Sequence, residues 1–316
     1  MAGALQFSRR VLDVVIIGGG PAGLSAALVL GRCRRRVLLC DAAQPRNARS
    51  VALHGYLTRD GTPPLELLRM GRAELQTYGI EPCHAKVTGL ACVGEGFEAT
   101  LDSGNQIQAR TALIASGVRD HVPDIPGIDE CYGVTVHHCP YCDGWEERDK
   151  TIAVIGRGTS GAGLALSLKT WTSTVLLCTN GPSRIRAADR WKLANEGITV
   201  HSASIARVEH EQQEVRAIAF TNGARVPCDA IFFSAGQSPQ CDLAVQLGCE
   251  INRQGIVKTG RLGQTHVPGL YVVGDASRDV QFAIVAAAEG AKAAVAINKA
   301  LQERAGLAVA AQDING

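Results

Sequence analysis

Two cysteines separated by two residues, Cys139 and Cys142, are the residues of this chain best placed to do chemistry. They stand in the segment 139–144, which reads CPYCDG. Two thiols at this spacing can close a disulfide with little movement of the backbone, and the spacing lowers the pKa of one thiol so that a thiolate is available near neutral pH. Asp143 follows the second thiol and is placed to exchange protons as the pair opens and closes. The motif therefore predicts a redox-active dithiol whose catalytic residues are Cys139, Cys142 and Asp143.

Other interpretations of this motif are a zinc half-site, a structural disulfide or a glutaredoxin-like fold. A zinc site needs a second cysteine pair or a histidine pair, and the other nine cysteines form no second pair at this spacing. Eleven cysteines without a pattern are typical of reduced thiols rather than a disulfide framework. In a glutaredoxin-like fold the motif would open a small domain, whereas here it lies in the middle of the chain. We therefore predict no metal site, and expect the cysteines in apolar strands to be buried and inert, namely Cys40, Cys178 and Cys228.

Two neighbouring histidines, His137 and His138, precede the motif. They could increase the thiolate fraction at Cys139, or His138 could act as a base in a dithiol oxidation. A role in packing of the turn is an equal alternative, because adjacent side chains cannot both face one sulfur.

The composition limits the classes of partner. A chain of 316 residues is long enough for two domains, and 35 glycines with only 4% aromatic residues suit parallel sheets covered by closely packed helices. A net charge of +2 predicts no nucleic-acid partner. Residues 14–31 carry no charge, but five of them are glycine and one is proline, which favours a strand, a turn and a helix over a targeting or membrane segment. We therefore expect a cytoplasmic protein with no membrane association.

A dinucleotide fingerprint lies near the N-terminus. The apolar run Leu12–Ile17 is followed by the loop 18–23 (GGGPAG), a helical pattern to about residue 32, and the strand 37–40, which ends at Asp41. In such a loop the first glycine permits a tight turn, the second lets a pyrophosphate approach the backbone, and the third lets helix and strand pack closely. The helix N-terminus favours phosphate, and Asp41 is placed to accept hydrogen bonds from a ribose. The pattern predicts a dinucleotide site here.

The same plan recurs later in the chain. The strand 152–155 is followed by the loop 156–161 (GRGTSG), a helix to about residue 169 and the strand 175–178. The segment 267–276 then reads as a strand that ends in Gly-Asp, and a long alanine-rich helix is expected from about residue 281 to 302. The predicted fold class is α/β, with two Rossmann-like nucleotide-binding domains.

Taken in order, these motifs resemble the low-molecular-weight thioredoxin reductases over residues 11–302. The resemblance implies two three-layer ββα domains, the second inserted in the first. Residues 1–118 and 241–316 would form a discontinuous FAD-binding domain, and residues 119–240 an inserted pyridine-nucleotide-type domain that carries the dithiol. It also implies a homodimer. The residues of this chain that would bind FAD are then Gly18, Gly20, Pro21, Ala22, Gly23, Asp41, Ala42, Arg46, Asn47, Val87, Ser116, Gly117, Gly274, Asp275, Gln281, Phe282 and Ala283.

The resemblance also implies a mechanism. Cys142 would face the flavin, Cys139 would exchange with an external disulfide, and Asp143 would serve as acid and base. The inserted domain would rotate between a position that serves the flavin and one that serves a bulky partner, and such motions commonly limit turnover.

The residues that would bind the electron donor depart from the family pattern. Members that use NADPH bind its 2′-phosphate with an arginine cluster after the second strand of the inserted domain, because guanidinium forks suit phosphate. Here residues 178–183 carry no charge, and Arg157 adds bulk inside the second glycine loop. The second glycine loop is present but the arginine cluster is missing, so we predict that NADPH use is weak or absent.

The partner is predicted to be a thioredoxin-like protein or a small-molecule disulfide or dithiol. The CPYC motif followed by Trp145 differs from the CATC more usual in thioredoxin reductases, and looks like relatives that oxidise the dithiols of small natural products with oxygen. An oxygen-using small-molecule dithiol oxidase is therefore the alternative enzyme. A non-enzymatic flavin redox sensor is a second alternative.

Overall fold

The computed structural model describes residues 11–277 and 280–307. Within these ranges the chain forms two compact units. The first contains the chain up to Arg46, Leu65–Arg119 and the chain from Ser238, and the second contains Asn47–Pro64 and Asp120–Gln237. The outer parts of the predicted first domain, residues 1–10 and 308–316, lie outside the described residues.

The strands are numbered in chain order. They are β1 (Leu12–Ile17), β2 (Val37–Cys40), β3 (Val87–Val93), β4 (Gly96–Leu101), β5 (Gln106–Ile114), β6 (Val118–Asp120), β7 (Val136–His137), β8 (Ile152–Ile155), β9 (Val175–Cys178), β10 (Thr199–His201), β11 (Ile205–Glu211), β12 (Glu214–Phe220), β13 (Arg225–Pro227), β14 (Ala230–Phe233), β15 (Gln237–Pro239) and β16 (Leu270–Val272).

The helices follow the same order. They are α1 (Pro21–Arg32), α2 (Pro64–Gln76), α3 (Ile128–Cys131), α4 (Pro140–Asp143), α5 (Gly158–Leu168), α6 (Ala187–Asn195), α7 (Asp242–Gln246) and α8 (Ala283–Arg304), with a 3₁₀ turn at Gly274–Ala276 before α8.

The first unit has a parallel sheet with a different layer on each face. Strands β2, β1, β5 and β16 are parallel, and the antiparallel hairpin β3–β4 continues from β5. Successive side chains of a strand point to opposite faces. Accordingly Val14 and Ile16 pack with helices α1 and α8, while Val15 and Ile17 pack into a second core that contains Phe97 of the hairpin. This is the predicted three-layer ββα arrangement.

The second unit repeats that arrangement. Its parallel sheet has the order β10-β9-β8-β14-β7, and β11, β12 and β13 form a separate antiparallel sheet. Ile152 and Val154 of β8 pack in a core with Leu168 of α5, whereas Ala153 and Ile155 pack in another core with Ile218 of the antiparallel sheet. The predicted α/β fold class is therefore confirmed.

The predicted range 1–118 for one domain departs from the observed units at residues 47–64, which belong to the second unit. Arg49 pairs with Asp129 through both carboxylate oxygens, and the Nε2 atom of His54 lies 3.4 Å from Oε1 of Glu146. A Cβ at Gly133 would lie 2.5 Å from the carbonyl oxygen of Arg49, so the backbones approach closely there. These contacts account for the placement of the segment in the second unit rather than the first.

In the described part of the chain, each helix is too short or too polar to cross a membrane.

We expect Gly290 to be required for the contact between α1 and α8. A Cβ at this position would lie 2.0 Å from the carbonyl oxygen of Ala22. Alanine improves helix propensity by about 1 kcal/mol, but overpacking costs about 1–3 kcal/mol and here involves rigid backbone. Gly290→Ala should therefore lower the melting temperature by several degrees, measured by scanning calorimetry.

Gly163→Ala in α5 is the matched control, because a Cβ there meets no atom within 4 Å. This variant should melt at or slightly above the wild-type temperature. A Gly290→Ala protein that behaves the same way would contradict the close packing of the two helices.

Candidate active site

Cys139 and Cys142 form a disulfide, with their Cα atoms 5.3 Å apart. Cys139 has an extended backbone and caps the N-terminus of α4, whose first residue is Pro140. Proline suits this position because its ring presets the helical φ angle and the missing N–H would have no helical partner. Both cysteines are half-buried, so the redox pair lies at the surface of its unit.

Asp143, the last residue of α4, has a side chain that is only 19% exposed. Its Oδ1 atom lies 3.4 Å from Nδ1 of His137, which is the last residue of β7. Burial raises the pKa of Asp143 above its ordinary value; the nearby carboxylates of Glu146 and Glu147 add to this, and His137 acts in the opposite direction. A carboxyl group with a raised pKa accepts and gives up protons closer to neutral pH than an ordinary aspartate does, which suits acid–base exchange.

Glu147 continues the cluster on the other side of the histidine. Its Oε1 atom lies 3.4 Å from Nε2 of His137, and its Oε2 atom accepts a 2.8 Å hydrogen bond from Nζ of Lys150. Burial opposes the ionisation of Glu147, but its contacts with His137 and Lys150 outweigh that effect and lower its pKa. Glu147 is thus held as a buried carboxylate.

His138 lies in a different environment from its neighbour. The Tyr132 hydroxyl donates a 3.3 Å hydrogen bond to Asp120 and lies 3.4 Å from Nδ1 of His138. The Nε2 atom of His138 lies 3.8 Å from Oδ1 of Asp120. The two histidines, one at the end of β7 and the other just beyond it, therefore point into separate polar clusters.

Exposed aromatic side chains flank the disulfide. Tyr141, between the cysteines, is 69% exposed and contacts Trp171 edge to face, with ring centroids 5.6 Å apart. Trp145 is 65% exposed, and the guanidinium of Arg148 lies 4.3 Å from the centroid of its ring. Large exposed aromatic rings beside a reactive group are typical of a surface that binds a partner.

The first glycine loop, in the other unit, is open. Gly18 has a φ of +113°, and a Cβ at Gly23 would fall 1.9 Å from the carbonyl oxygen of Gly18, so both positions require glycine. A Cβ at Gly20 would meet no atom within 4 Å, and α1 begins at Pro21 with no side-chain cap. The loop therefore has room for a phosphate where the amides at the N-terminus of α1 would face it. This geometry fits a dinucleotide such as FAD.

The acidic residue at the end of β2 already has protein partners. Asp41 is buried, and its carboxylate accepts hydrogen bonds from Arg72 (2.7 Å) and from the backbone amide of Ala43 (2.9 Å). A carboxylate offers about four lone-pair sites, so a ribose hydroxyl can still be accepted. Arg72 was not singled out from the sequence, because one arginine on a predicted helix carries no pattern. Ala42, the next predicted FAD residue, is exposed.

Three predicted residues of the first unit form a polar cluster. Nη1 of Arg46 donates 2.8 Å hydrogen bonds to Asp275 and to Gln281. The amide of the neighbouring Gly274 donates a 2.8 Å bond to Glu289.

The remaining predicted cofactor residues are spread over both units. Phe282 is the N-cap of α8 and Ala283 its first residue. The Ser116 hydroxyl donates to the carbonyl of Gln240, and Gly117 has a positive φ of +70°. Three positions do not join a polar cluster: Val87 is buried in the hairpin-side core, Ala22 contacts α8, and Asn47 belongs to the second unit.

The second glycine loop is covered by its own chain. The amide of Gly158, which corresponds to Gly20 of the first loop, donates a 2.8 Å hydrogen bond to the carbonyl of Ser183. Arg157 donates to the carbonyl of Thr179 at 2.7 Å and also to that of Asn180. The segment that follows β9 is therefore bonded directly to the loop where a pyrophosphate would approach.

The cysteines predicted to be buried and inert have the expected environment, although Cys228 lies between β13 and β14 rather than in a strand. Cys40, Cys178 and Cys228 are buried, and burial raises the pKa of each thiol to about 12. Thiols with such values are inert at neutral pH. Among the described residues, the histidine, cysteine and acidic side chains form no cluster able to hold a metal ion.

The sequence and the fold are similar to those of known proteins. The family model described as pyridine nucleotide-disulphide oxidoreductase matches residues 12–290. A protein of Arthroderma benhamiae named "Probable thioredoxin reductase" is 29% identical over 95% of this chain and 83% of its own, and thioredoxin reductase aclD of Aspergillus oryzae is 26% identical over 91% and 95%. The crystal structure of HlmI is 35% identical, superposes with a TM-score of 0.91, and is matched over 94% of this chain and 95% of its own.

The match extends over most of the chain and includes both glycine loops and the disulfide. This chain therefore belongs to the pyridine nucleotide-disulphide oxidoreductase family and is a flavin disulfide oxidoreductase of the thioredoxin reductase type.

Proposed function

We propose that this enzyme passes electrons between FAD and the Cys139–Cys142 pair, and onward to a protein disulfide such as that of thioredoxin. The observation that carries the proposal is the surface disulfide followed by a half-buried carboxyl group, that of Asp143. The relatives named thioredoxin reductase support thioredoxin as the partner class. The two alternatives, a small-molecule dithiol oxidase and a redox sensor, are not favoured by these names.

The FAD would be held by the first unit. The open loop at Gly18–Gly23 would receive the pyrophosphate, Asp41 the adenosine ribose, and the cluster of Arg46, Asp275 and Gln281 the middle of the cofactor. When bound, the flavin supplies two-electron chemistry that is able to reduce or oxidise a disulfide.

At the dithiol, each side chain has a defined part. Cys142 would take up electrons on the flavin side, and the Cys139 thiolate would attack the disulfide of the partner. Asp143 would hold the proton released by one sulfur and deliver it to another. The reduction potential of thioredoxin is about −270 mV, and a 30 mV difference between two dithiol pairs corresponds to about 1.4 kcal/mol, so the exchange would be reversible if the enzyme pair lies within a few tens of millivolts of thioredoxin.

The aromatic surface around the pair supports a protein partner. Tyr141 and Trp145 expose most of their side chains on either side of Cys142. Aromatic and arginine side chains are the residues that most often dominate the energy of protein–protein binding. Arg148, stacked on Trp145, completes such a surface. A homodimer, expected from the resemblance, is part of this proposal.

Use of NADPH is proposed to be weak or absent. The contacts of Gly158 and Arg157 with the segment 179–183 support this, because they take up the groups that a pyrophosphate would need. The uncharged sequence 178–183 also offers no guanidinium fork for a 2′-phosphate.

The exchange with thioredoxin can be tested without knowing the electron donor. Oxidised holoenzyme mixed without air with reduced thioredoxin should lose its flavin absorbance, since the exchange is reversible. Cys139→Ser and Cys142→Ser should each slow this bleaching at least about a hundredfold, because one sulfur cannot form the disulfide. Cys92→Ser, at an exposed free cysteine, is the control and should react like the wild type.

Bleaching by small dithiols but not by thioredoxin, with release of hydrogen peroxide in air, would contradict the proposed partner and favour the dithiol oxidase.

The cofactor cluster can be tested by flavin content. Arg46→Met removes the charge-assisted hydrogen bonds that Nη1 donates to Asp275 and Gln281. Hydrogen bonds to charged groups contribute about 1.5–3 kcal/mol, so flavin should bind about tenfold or more weakly, measured by the flavin-to-protein absorbance ratio after dialysis. Arg49→Met removes an exposed ion pair and should retain flavin. Equal flavin content in both variants would exclude the assigned cluster.

The prediction that NADPH use is weak or absent can be tested by rapid mixing. Stopped-flow mixing with excess NADPH or NADH under argon should give no rapid loss of flavin absorbance, while dithionite should bleach the same sample. Arg157→Ala should change this little, because the backbone bond between Gly158 and Ser183 remains. Rapid bleaching of the wild-type enzyme by NADPH would refute the prediction.

A further inference from the structure

The buried imidazole of His137 lies between two carboxyl groups beside the dithiol. Its Nδ1 atom lies 3.4 Å from Asp143, its Nε2 atom lies 3.4 Å from Glu147, and its side chain is 5% exposed. Glu147 is 4% exposed and is in turn bonded to Lys150, whose side chain is 43% exposed. These four side chains form a continuous row from the residue that follows Cys142 to solvent.

A buried glutamate is uncommon in a folded protein unless it is paired. Glu147 is paired with Lys150, but its contact with His137 is imperfect. Nε2 of His137 lies close to Glu147 yet makes no aligned hydrogen bond within the described part of the chain. A buried polar atom without a hydrogen bond costs about 1–3 kcal/mol. An apolar residue in place of His137 would pack against Phe232, whose ring centroid is 5.2 Å away, without that cost. The arrangement is therefore better explained by chemistry than by packing.

The charges along this row of side chains indicate what each group does. Lys150 holds Glu147 as a carboxylate, and this carboxylate favours an imidazole of His137 that carries its proton on Nε2. The Nδ1 atom then faces Asp143, either as an acceptor or, in the cation, as a donor. A carboxylate that orients a histidine toward a reactive group is a recurring catalytic arrangement.

We propose that His137, oriented by Glu147, is a positioning residue that exchanges a proton with Asp143 and thereby sets the pH range in which the dithiol reacts. This inference rests on the proposed function, in which Asp143 is the acid and base of the dithiol.

The protons balance in each half of the reaction. Reducing the Cys139–Cys142 disulfide breaks one S–S bond and forms two S–H bonds, with two electrons from the reduced flavin and two protons. In the exchange, the enzyme dithiol and the partner disulfide become an enzyme disulfide and a partner dithiol, with no net proton change. Asp143 takes a proton as Cys139 forms its thiolate and returns it to the leaving sulfur, and Nδ1 of His137 can hold that proton between the two transfers.

Several other groups act on the same carboxyl. Asp143 is also influenced by Glu146 and His54, and His54 is itself close to Asp60. Phe232, which packs against His137 from β14, is uncharged. Glu146 therefore provides a matched control, since it is a carboxylate near Asp143 that has no described contact with His137.

The test measures thiol reactivity, without turnover of the flavin. Proteins in a Cys33→Ser, Cys92→Ser background are reduced with dithiothreitol, and the alkylation of Cys139 and Cys142 by iodoacetamide is followed by mass spectrometry from pH 4 to 9. His137→Gln cannot be protonated, so Asp143 loses a stabilising positive charge. The inflection in the plot of alkylation rate against pH should move to higher pH by about one unit. At a fixed pH below the inflection, the alkylation rate should therefore fall about tenfold.

The sign of the Glu147→Gln shift decides between two explanations. If Glu147 acted on Asp143 only through its charge, both Glu147→Gln and Glu146→Gln would move the inflection downward, because each removes a negative neighbour. If Glu147 orients His137, Glu147→Gln should move it upward, as His137→Gln does, while Glu146→Gln still moves it downward.

A downward or absent shift in Glu147→Gln would overturn the inference. Glu147→Gln preserves shape and so decides the question even if His137→Gln does not fold. Because alkylation involves no thioredoxin, failure of the thioredoxin exchange with the expected pattern of shifts would refute the proposed partner and leave the role of His137 intact.

Discussion

A reactive dithiol must expose its sulfurs to a partner while it exchanges protons with a group shielded from bulk water, and this constraint governs the second unit. In the proposed function, Cys139, Cys142 and Asp143 meet it together at one short helix, α4, where all three side chains are half-buried. Burial alone favours the protonated carboxyl, and the imidazole of His137 moderates that effect. Strand β7 and the turn that follows α4 are therefore as much part of the site as the cysteines.

The two glycine loops share one local fold but differ in how open they are. In each, the third glycine lets helix and strand backbones approach, since a Cβ at Gly23 or Gly161 would fall within 2.4 Å of the first glycine. Access for a ligand is a separate property. It depends on the segment after the neighbouring strand, which leaves Gly20 open but is bonded to Gly158. A fingerprint thus predicts close packing more securely than it predicts a bound nucleotide.

Much of the fold could be predicted from local pattern. The bounds of β1, β8 and β9 are the predicted ones, because each is a mainly apolar run of strand length, interrupted only at Asp13 in β1, with turn or polar residues beyond it. Elements of two to five residues, such as α3 and β7, were missed because they are too short to show a period. The segment 47–64 was predicted to belong to the first domain, whereas in the structure it lies in the second unit, because its position depends on contacts such as Arg49 with Asp129.

By itself, the sequence determined the redox pair, the first glycine loop and the α/β plan, because each is encoded by neighbouring residues whose types and spacing dictate local geometry. Only the tertiary structure decided which side chains surround Asp143, and that Arg157 turns toward the carbonyls beyond β9. His137 and Glu147 are ten residues apart, and no periodicity links them. Their contact exists because the end of β7 and the turn after α4 lie side by side in the folded unit, and that packing depends on tertiary contacts rather than on local pattern.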